Sequence, residues 1–304
     1  MAYVHNENKK LEKTIKELKE LTKKVVKDSL NDEYEVKVYG SRETGVCLPW
    51  SDIDFVIVCK NKDKEYTEPL SIVYKHLKEN FPEFIIKYID STQIPLLKIN
   101  TGQNYHKISL DISMELSEHH GAECVQFIKD KIKQYKVLTP ITFGLKTIFQ
   151  YAKVNDPYHG GLSSYGIILL IIYFLQKNEK AKNDISINSL GKLFYELLYF
   201  YGKEYNVNEP INVNNIDISF IKNYFYGNDT KLYIVDPLNN TNNVAKNTRQ
   251  LDNIKMALMI AYFCLRESCE CGCHYQYNIC IKEESCQHNL LYRIFHSIKR
   301  EVNN

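Results

Sequence analysis

The sequence contains no apolar stretch long enough to cross a membrane as a helix. Its most apolar run, Tyr165 to Leu175, is about half of the roughly 20 residues a span requires. The segment Met1 to Lys10 is polar and lacks the apolar core of a secretory signal, so an intracellular protein is expected, with the nucleus preferred over the cytoplasm. Charge of either sign is scarcely in excess: 39 basic and 37 acidic side chains leave +2. Whole-molecule charge therefore neither favours nor disfavours a nucleic-acid partner, and any such surface must be local. No internal repeat, no long low-complexity linker and no segment resembling a separate RNA-binding domain is present. Nine cysteines do not imply disulfides once the secretory reading is set aside, because intracellular thiols are kept reduced.

What is present is enough chain, 304 residues and 44% hydrophobic, for two ordinary domains packed directly together with a cleft between them. Leu11, Ile15, Leu18 and Val25 recur at helical spacing with lysines between them, which predicts an amphipathic helix within residues 1–30, packing on the helical half. Its eight lysines, Lys9 to Lys27, read as a solvated face. Residues 31–116 alternate with strand period around Glu35–Tyr39, Asp52–Val58, Phe84–Ile89, Ile94–Ile99 and Lys107–Met114, with a helix over about 67–80. This is a small α/β domain with a mixed sheet. Residues 117–304 read as mainly helical, with segments near 121–135, 140–154, 163–178, 187–202, 243–267 and 287–300 and one strand at Leu232–Val235.

The chemistry concentrates between Val38 and Val58. Side chains two apart on a strand share a face, so Asp52 and Asp54 project together while Ile53, Phe55 and Ile57 enter the core. Side-by-side carboxylates repel unless cations bridge them, which suits Mg²⁺ or Mn²⁺. Asp111 lies on the polar face of a later strand with Ser109 and Ser113, opposite Ile108, Leu110, Ile112 and Met114, and could complete the set. Three carboxylates can hold two divalent ions, one activating an attacking hydroxyl and one stabilising a leaving pyrophosphate. Upstream, Gly40-Ser41 ends a strand and opens a short helix. A glycine there allows close backbone approach, and N–H groups with the Ser41 hydroxyl can bind nucleotide phosphates.

Gly40-Ser41, ten residues, Asp52-Ile-Asp54 and the later Asp111 resemble the signature of the DNA polymerase β superfamily of nucleotidyltransferases, and most closely its Trf-type noncanonical poly(A) polymerases and terminal uridylyltransferases. The likeness runs from about residue 34 to 265. It implies a polymerase β-like catalytic domain packed against a helical central domain (the poly(A)-polymerase-associated domain), with the active-site cleft between them. Three further segments carry it. Gly160-Gly-Leu-Ser-Ser-Tyr-Gly166 is similar to the motif in which Ser164 would contact a phosphate and Tyr165 would stack on the base, and Ser163 or Ser164 is a good helix N-cap. Lys146 resembles the family lysine that contacts the triphosphate, whereas Gln150 replaces a second one. Asp236 to Ala245 resembles the nucleotide recognition motif, in which Asp236 is a polar element of the base site and Asn242 helps choose the base. An asparagine suits adenine, since its amide offers both donor and acceptor. Asn239 and the Ala245-Lys246 pair depart from that motif, whose residue-by-residue alternative is an Asn-rich turn. The segment Glu115–Gly121 is longer than in Trf-type relatives, which leaves a sugar contact unassigned.

The reading is an RNA 3′-end adenylyltransferase using ATP and two Mg²⁺ or Mn²⁺ ions, with a terminal uridylyltransferase or a noncatalytic scaffold as alternatives. The resemblance also implies a zinc-knuckle partner protein that supplies RNA affinity. A Cys-rich loop at 268–288, with Cys269, Cys271, Cys273, His274, Cys280, Cys286 and His288, has ligands for structural Zn²⁺, but Cys-x-Cys-x-Cys is not the usual knuckle spacing and reduced loop cysteines are the other reading.

Overall fold

The computed structural model describes residues 2–60, 69–90, 95–115, 121–178, 183–215 and 232–270. The chain divides into two compact units, Met1–Asp130 and Lys131–Asn304. The boundary falls later than residue 116, the end expected for the catalytic domain.

The first unit begins with α1 (Ala2–Leu30), followed by β1 (Tyr34–Tyr39), the single-turn α2 (Gly40–Thr44), β2 (Ile53–Cys59) and α3 (Pro69–Asn80). β3 (Ile85–Ile89), β4 (Leu96–Asn100) and β5 (Ser109–Met114) complete its sheet, and α4 (Gly121–Gln134) runs across the boundary at Asp130. The strands form one sheet in the order β1-β2-β5-β4-β3, antiparallel except for the parallel β2–β5 pair at its centre. All five predicted strands are present, and the sheet is mixed as expected.

Strand alternation decides the faces. Val38, Phe55, Ile112, Leu97 and Tyr88 form one cross-strand row, and the residues two away continue it into a core with Ile53, Ile57, Leu110 and Ile99, each no more than 2% exposed. α1 and α3 cover that face, with Leu18, Val25, Leu70 and Val73 buried against it. Each such buried aliphatic contributes about 1.5–3 kcal/mol. The N-terminal helix, expected to pack on the helical half, has its apolar residues in the core of the first unit. Its apolar stripe is used on the catalytic sheet, because α3 alone is too short to cover five strands.

The second unit contains α5 (Leu138–Tyr151), α6 (Ser164–Lys177), α7 (Ile187–Tyr199), a hairpin of β6 (Val235–Asp236) and β7 (Asn239–Asn243), and α8 (Leu251–Glu270). α6 is its central core helix: every residue from Gly166 to Ile172 is buried, as are Phe174 and Leu175. No helix among the described residues is long and apolar enough to cross a membrane. α7 runs on into a π-helical turn at Phe200–Glu204. α8 starts eight residues later than the periodicity predicts, because Asn243 ends a paired strand and the chain then turns, with the Arg249 and Gln250 N–H groups donating to the Gly160 carbonyl. The Cys-rich loop and the helix expected near 287–300 lie outside the described residues, apart from Cys269, which ends in α8 without a described side chain.

Of the two candidate caps for α6, Ser163 is the one used, its hydroxyl accepting from Gly166 N at 3.1 Å. Ser163→Ala should lower stability by about 1 kcal/mol, read as a shift of the urea midpoint with unchanged slope. An unshifted midpoint would show that the cap is not used.

Candidate active site

In the first unit one row of side chains crosses the second face of the sheet. Register places Tyr39 opposite Asp54, Asp54 opposite Asp111, Asp111 opposite Lys98, and Lys98 opposite Lys87. Directly paired residues share a face, so the two central carboxylates stand side by side, as the sequence pattern requires. Asp52 lies one residue before β2 and two before Asp54.

The signature glycine is packed on this row. Gly40 has φ +73°, and a Cβ built on it would lie 1.9 Å from Asp54 Oδ2. Only glycine allows the backbone both this conformation and this approach. Ser41 follows as the second residue of α2. The turn between α2 and β2 is braced by Arg42, whose Nε donates to the Ser51 carbonyl at 3.0 Å and whose Nη2 donates to the Pro49 carbonyl at 3.1 Å and the Ser51 carbonyl at 2.5 Å. Ser51 closes it, its Oγ accepting from Leu48 N at 3.0 Å. Burial lowers the Arg42 pKa, and the charges of Cys47, Asp52 and Asp54 oppose that shift. Arg42 thus fixes the residue immediately before Asp52. α1 adds a brace on the other side, through Lys19 to Glu43 and Asn8 Nδ2 to the Cys47 carbonyl at 3.1 Å.

Three site residues were not singled out from sequence. Tyr39 has its pKa raised, first by burial and then by Asp54, and its hydroxyl lies 3.4 Å from Ser113 Oγ. Arg42 was passed over because the residue after Gly-Ser carries no motif weight. Lys98 Nζ is 3.5 Å from Asp111 Oδ2. The sequence shows it only as a polar residue between Leu97 and Ile99; the strand order is what sets it against Asp111.

The donor set is three carboxylates, which fits a hard divalent cation. Among the described residues no group of three or more His, Cys, Asp or Glu side chains converges to hold a metal ion. The expected three-carboxylate cluster is thus set up by the strands and not closed by the side chains. Asp111 is paired with Lys98.

The second unit has its own polar centre. Asp236 is 6% exposed and accepts three hydrogen bonds: from Tyr165 Oη at 3.1 Å and Leu238 N at 3.0 Å on Oδ1, and from Asn242 Nδ2 at 3.0 Å on Oδ2. That bond holds the Asn242 amide with its nitrogen inward, leaving a carbonyl oxygen and one N–H to read another group. Tyr165 and Asn242, 77 positions apart, are thereby held on one side chain. Ser164, at the start of α6, is exposed. Lys146 is marked in the sequence only by resemblance, and a helix lysine taken alone is expected to be solvated. It is instead 7% exposed. Lys146 and Asp236 are the charged side chains buried among the described residues, and burying a charge is costly unless something compensates it. The asparagines divide their work: Asn239 accepts from Thr241 and Asn243 accepts from Ile234 N and Ala245 N, which shapes the hairpin, while Asn242 faces Asp236. Gln150 accepts from Asn155.

A family model described as poly(A) RNA polymerase, mitochondrial-like, central palm domain, matches residues 2–118. Poly(A) RNA polymerase protein 1 of Saccharomyces cerevisiae is 26% identical over 273 residues, covering 87% of this chain and 41% of its own length. Poly(A) RNA polymerase cid14 of Schizosaccharomyces pombe is 28% identical over 226 residues, 72% of this chain and 32% of its own. The chain is thus similar, over most of its length, to Trf-type poly(A) RNA polymerases. Among solved structures, the polymerase core of TRAMP, an RNA surveillance complex, superposes with a TM-score of 0.73 at 22% identity, covering 99% of this chain and 90% of that one. The fold is shared with that polymerase core. The chain spans about two fifths of the length of the first of these curated relatives.

Proposed function

We propose that this protein extends RNA 3′ ends with AMP from ATP, without a template. The observation that carries the reading is the Asp54–Asp111 pairing with Gly40 packed against Asp54, which puts a phosphate-binding turn next to two acids on one strand face. Asp52, Asp54 and Asp111 would hold Mg²⁺ or Mn²⁺, which when bound supplies charge stabilisation to an in-line phosphoryl transfer. The chain's own groups do the rest. Gly40 and Ser41 receive the phosphates at the start of α2, Arg42 holds the turn that carries Asp52, and Asp111 faces the incoming 3′-hydroxyl. In the second unit Lys146 and Ser164 bind phosphate, Tyr165 offers a ring to the base, and Asp236 orients Asn242 toward it.

Adenine is favoured by the Asn242 amide and by the names of the relatives. The likeness to Trf-type poly(A) polymerases supports a partner protein of the zinc-knuckle type that supplies RNA affinity.

The test is primer extension of a short RNA with Mg²⁺ or Mn²⁺ and each NTP separately. ATP should be the best substrate, and Asn242→His should shift the ATP:UTP ratio of kcat/KM toward UTP by at least about tenfold, the worth of roughly 1.4 kcal/mol at a base contact. Efficient use of UTP by the unaltered protein would instead establish the uridylyltransferase. Failure with every NTP would favour a scaffold.

A further inference from the structure

The row of side chains has a direction. At one end, beside β1, lie Gly40 and the phosphate-binding turn; at the centre lie Asp54 and Asp111; at the other end lie Lys98 and Lys87 on β4 and the edge strand β3. In-line transfer puts the attacking oxygen and the leaving pyrophosphate on opposite sides of the transferred phosphorus. If the leaving group sits at the β1 end, the nucleophile enters from the β4–β3 end. Lys98 is about half exposed and 3.5 Å from Asp111, and Lys87 is exposed beyond it. A polynucleotide that brings its terminal hydroxyl to Asp111 carries its last phosphodiesters over these two ammonium groups.

We propose that Lys98 and Lys87 form the track for the terminal phosphates of the RNA, with Lys98 also positioning Asp111. The inference rests on the RNA-tailing reading and adds the direction of RNA entry and the residues that bind it. Two cations on neighbouring strands suit successive phosphates and carry no base preference, since phosphate contacts position a strand without reading it. Lys98 touches both Asp111 and RNA, so its loss affects turnover and RNA binding. Lys87 lies one strand further from the carboxylates, so its loss affects RNA binding alone.

The experiment measures binding of a labelled single-stranded oligoribonucleotide by anisotropy in EDTA over a range of salt, and then primer-extension kinetics with Mg²⁺. Lys87→Met should weaken binding about tenfold and reduce the slope of log K against log salt by about 0.7. It should raise KM for RNA with KM for ATP unchanged. Lys98→Met should do the same to binding and also lower kcat, with Lys98→Arg restoring binding. Lys75→Met is the control, an exposed lysine on α3, which covers the opposite sheet face. An unchanged affinity and slope in Lys87→Met and Lys98→Met, or an equal loss in Lys75→Met, would overturn the track. If the unaltered protein extends no RNA with any NTP, the tailing reading fails, and the binding slopes still decide whether these lysines hold a polynucleotide.

Discussion

Asp54→Asn should reduce tailing by about 10³-fold or more while the protein stays folded. Asp54 is the central member of the row, paired with Tyr39 on one side and Asp111 on the other. Asparagine keeps the shape that Gly40 packs against and removes the charge. A neutral amide oxygen is a much weaker ligand for a hard divalent ion, and losing about 4 kcal/mol of transition-state stabilisation corresponds to this rate. Stability should move the other way. Asp54 is one of two carboxylates paired side by side, and removing one of two like charges relieves repulsion, so the urea midpoint should hold or rise. The measurement is single-turnover extension of an RNA primer together with a denaturation curve. Substantial activity in a folded Asp54→Asn protein would remove the carboxylates from the mechanism, whatever the likeness to nucleotidyltransferases.

How much of this was legible in the sequence depends on the kind of signal. Strand alternation made the sheet readable, since a single register error would have exposed Phe55 and Ile112 and buried Asp54 and Asp111. The same alternation gave the acids their common face. Three things were not readable. The docking of α1 was missed because an apolar stripe says that a helix is covered and not by what. β7 was missed because Asn239–Asn243 holds no apolar residue; its pairing is secured by asparagine side chains bonding to the backbone, a tertiary effect that periodicity does not register. Strand order placed Lys98 against Asp111, and strand order follows from the fold as a whole. In the second unit the sequence named Tyr165, Asp236 and Asn242 separately. Only the hairpin and the start of α6 show that one carboxylate joins them.

Gly40→Ala should separate a strained backbone from a blocked site. Two glycines, the first residue of α2 and the one that follows its end, have nearly the same left-handed backbone, Gly40 at φ +73° and Gly45 at φ +80°. An alanine at either position carries the backbone cost of that conformation, about 1–2 kcal/mol. Their surroundings differ. A Cβ at Gly45 meets nothing within 4 Å, whereas one at Gly40 falls 1.9 Å from Asp54 Oδ2 and 2.6 Å from its Cγ. Asp54 must therefore move by about an ångström or more, and displacement on that scale costs about 10²-fold in rate. Gly45→Ala is accordingly expected to lose stability and keep kcat, while Gly40→Ala loses a similar or larger stability and about 10²-fold in kcat. Equal kcat in the two variants, measured below both unfolding transitions, would mean that contact between Gly40 and Asp54 does not set the position of the carboxylate. The short helix would then act only through Ser41 and Arg42.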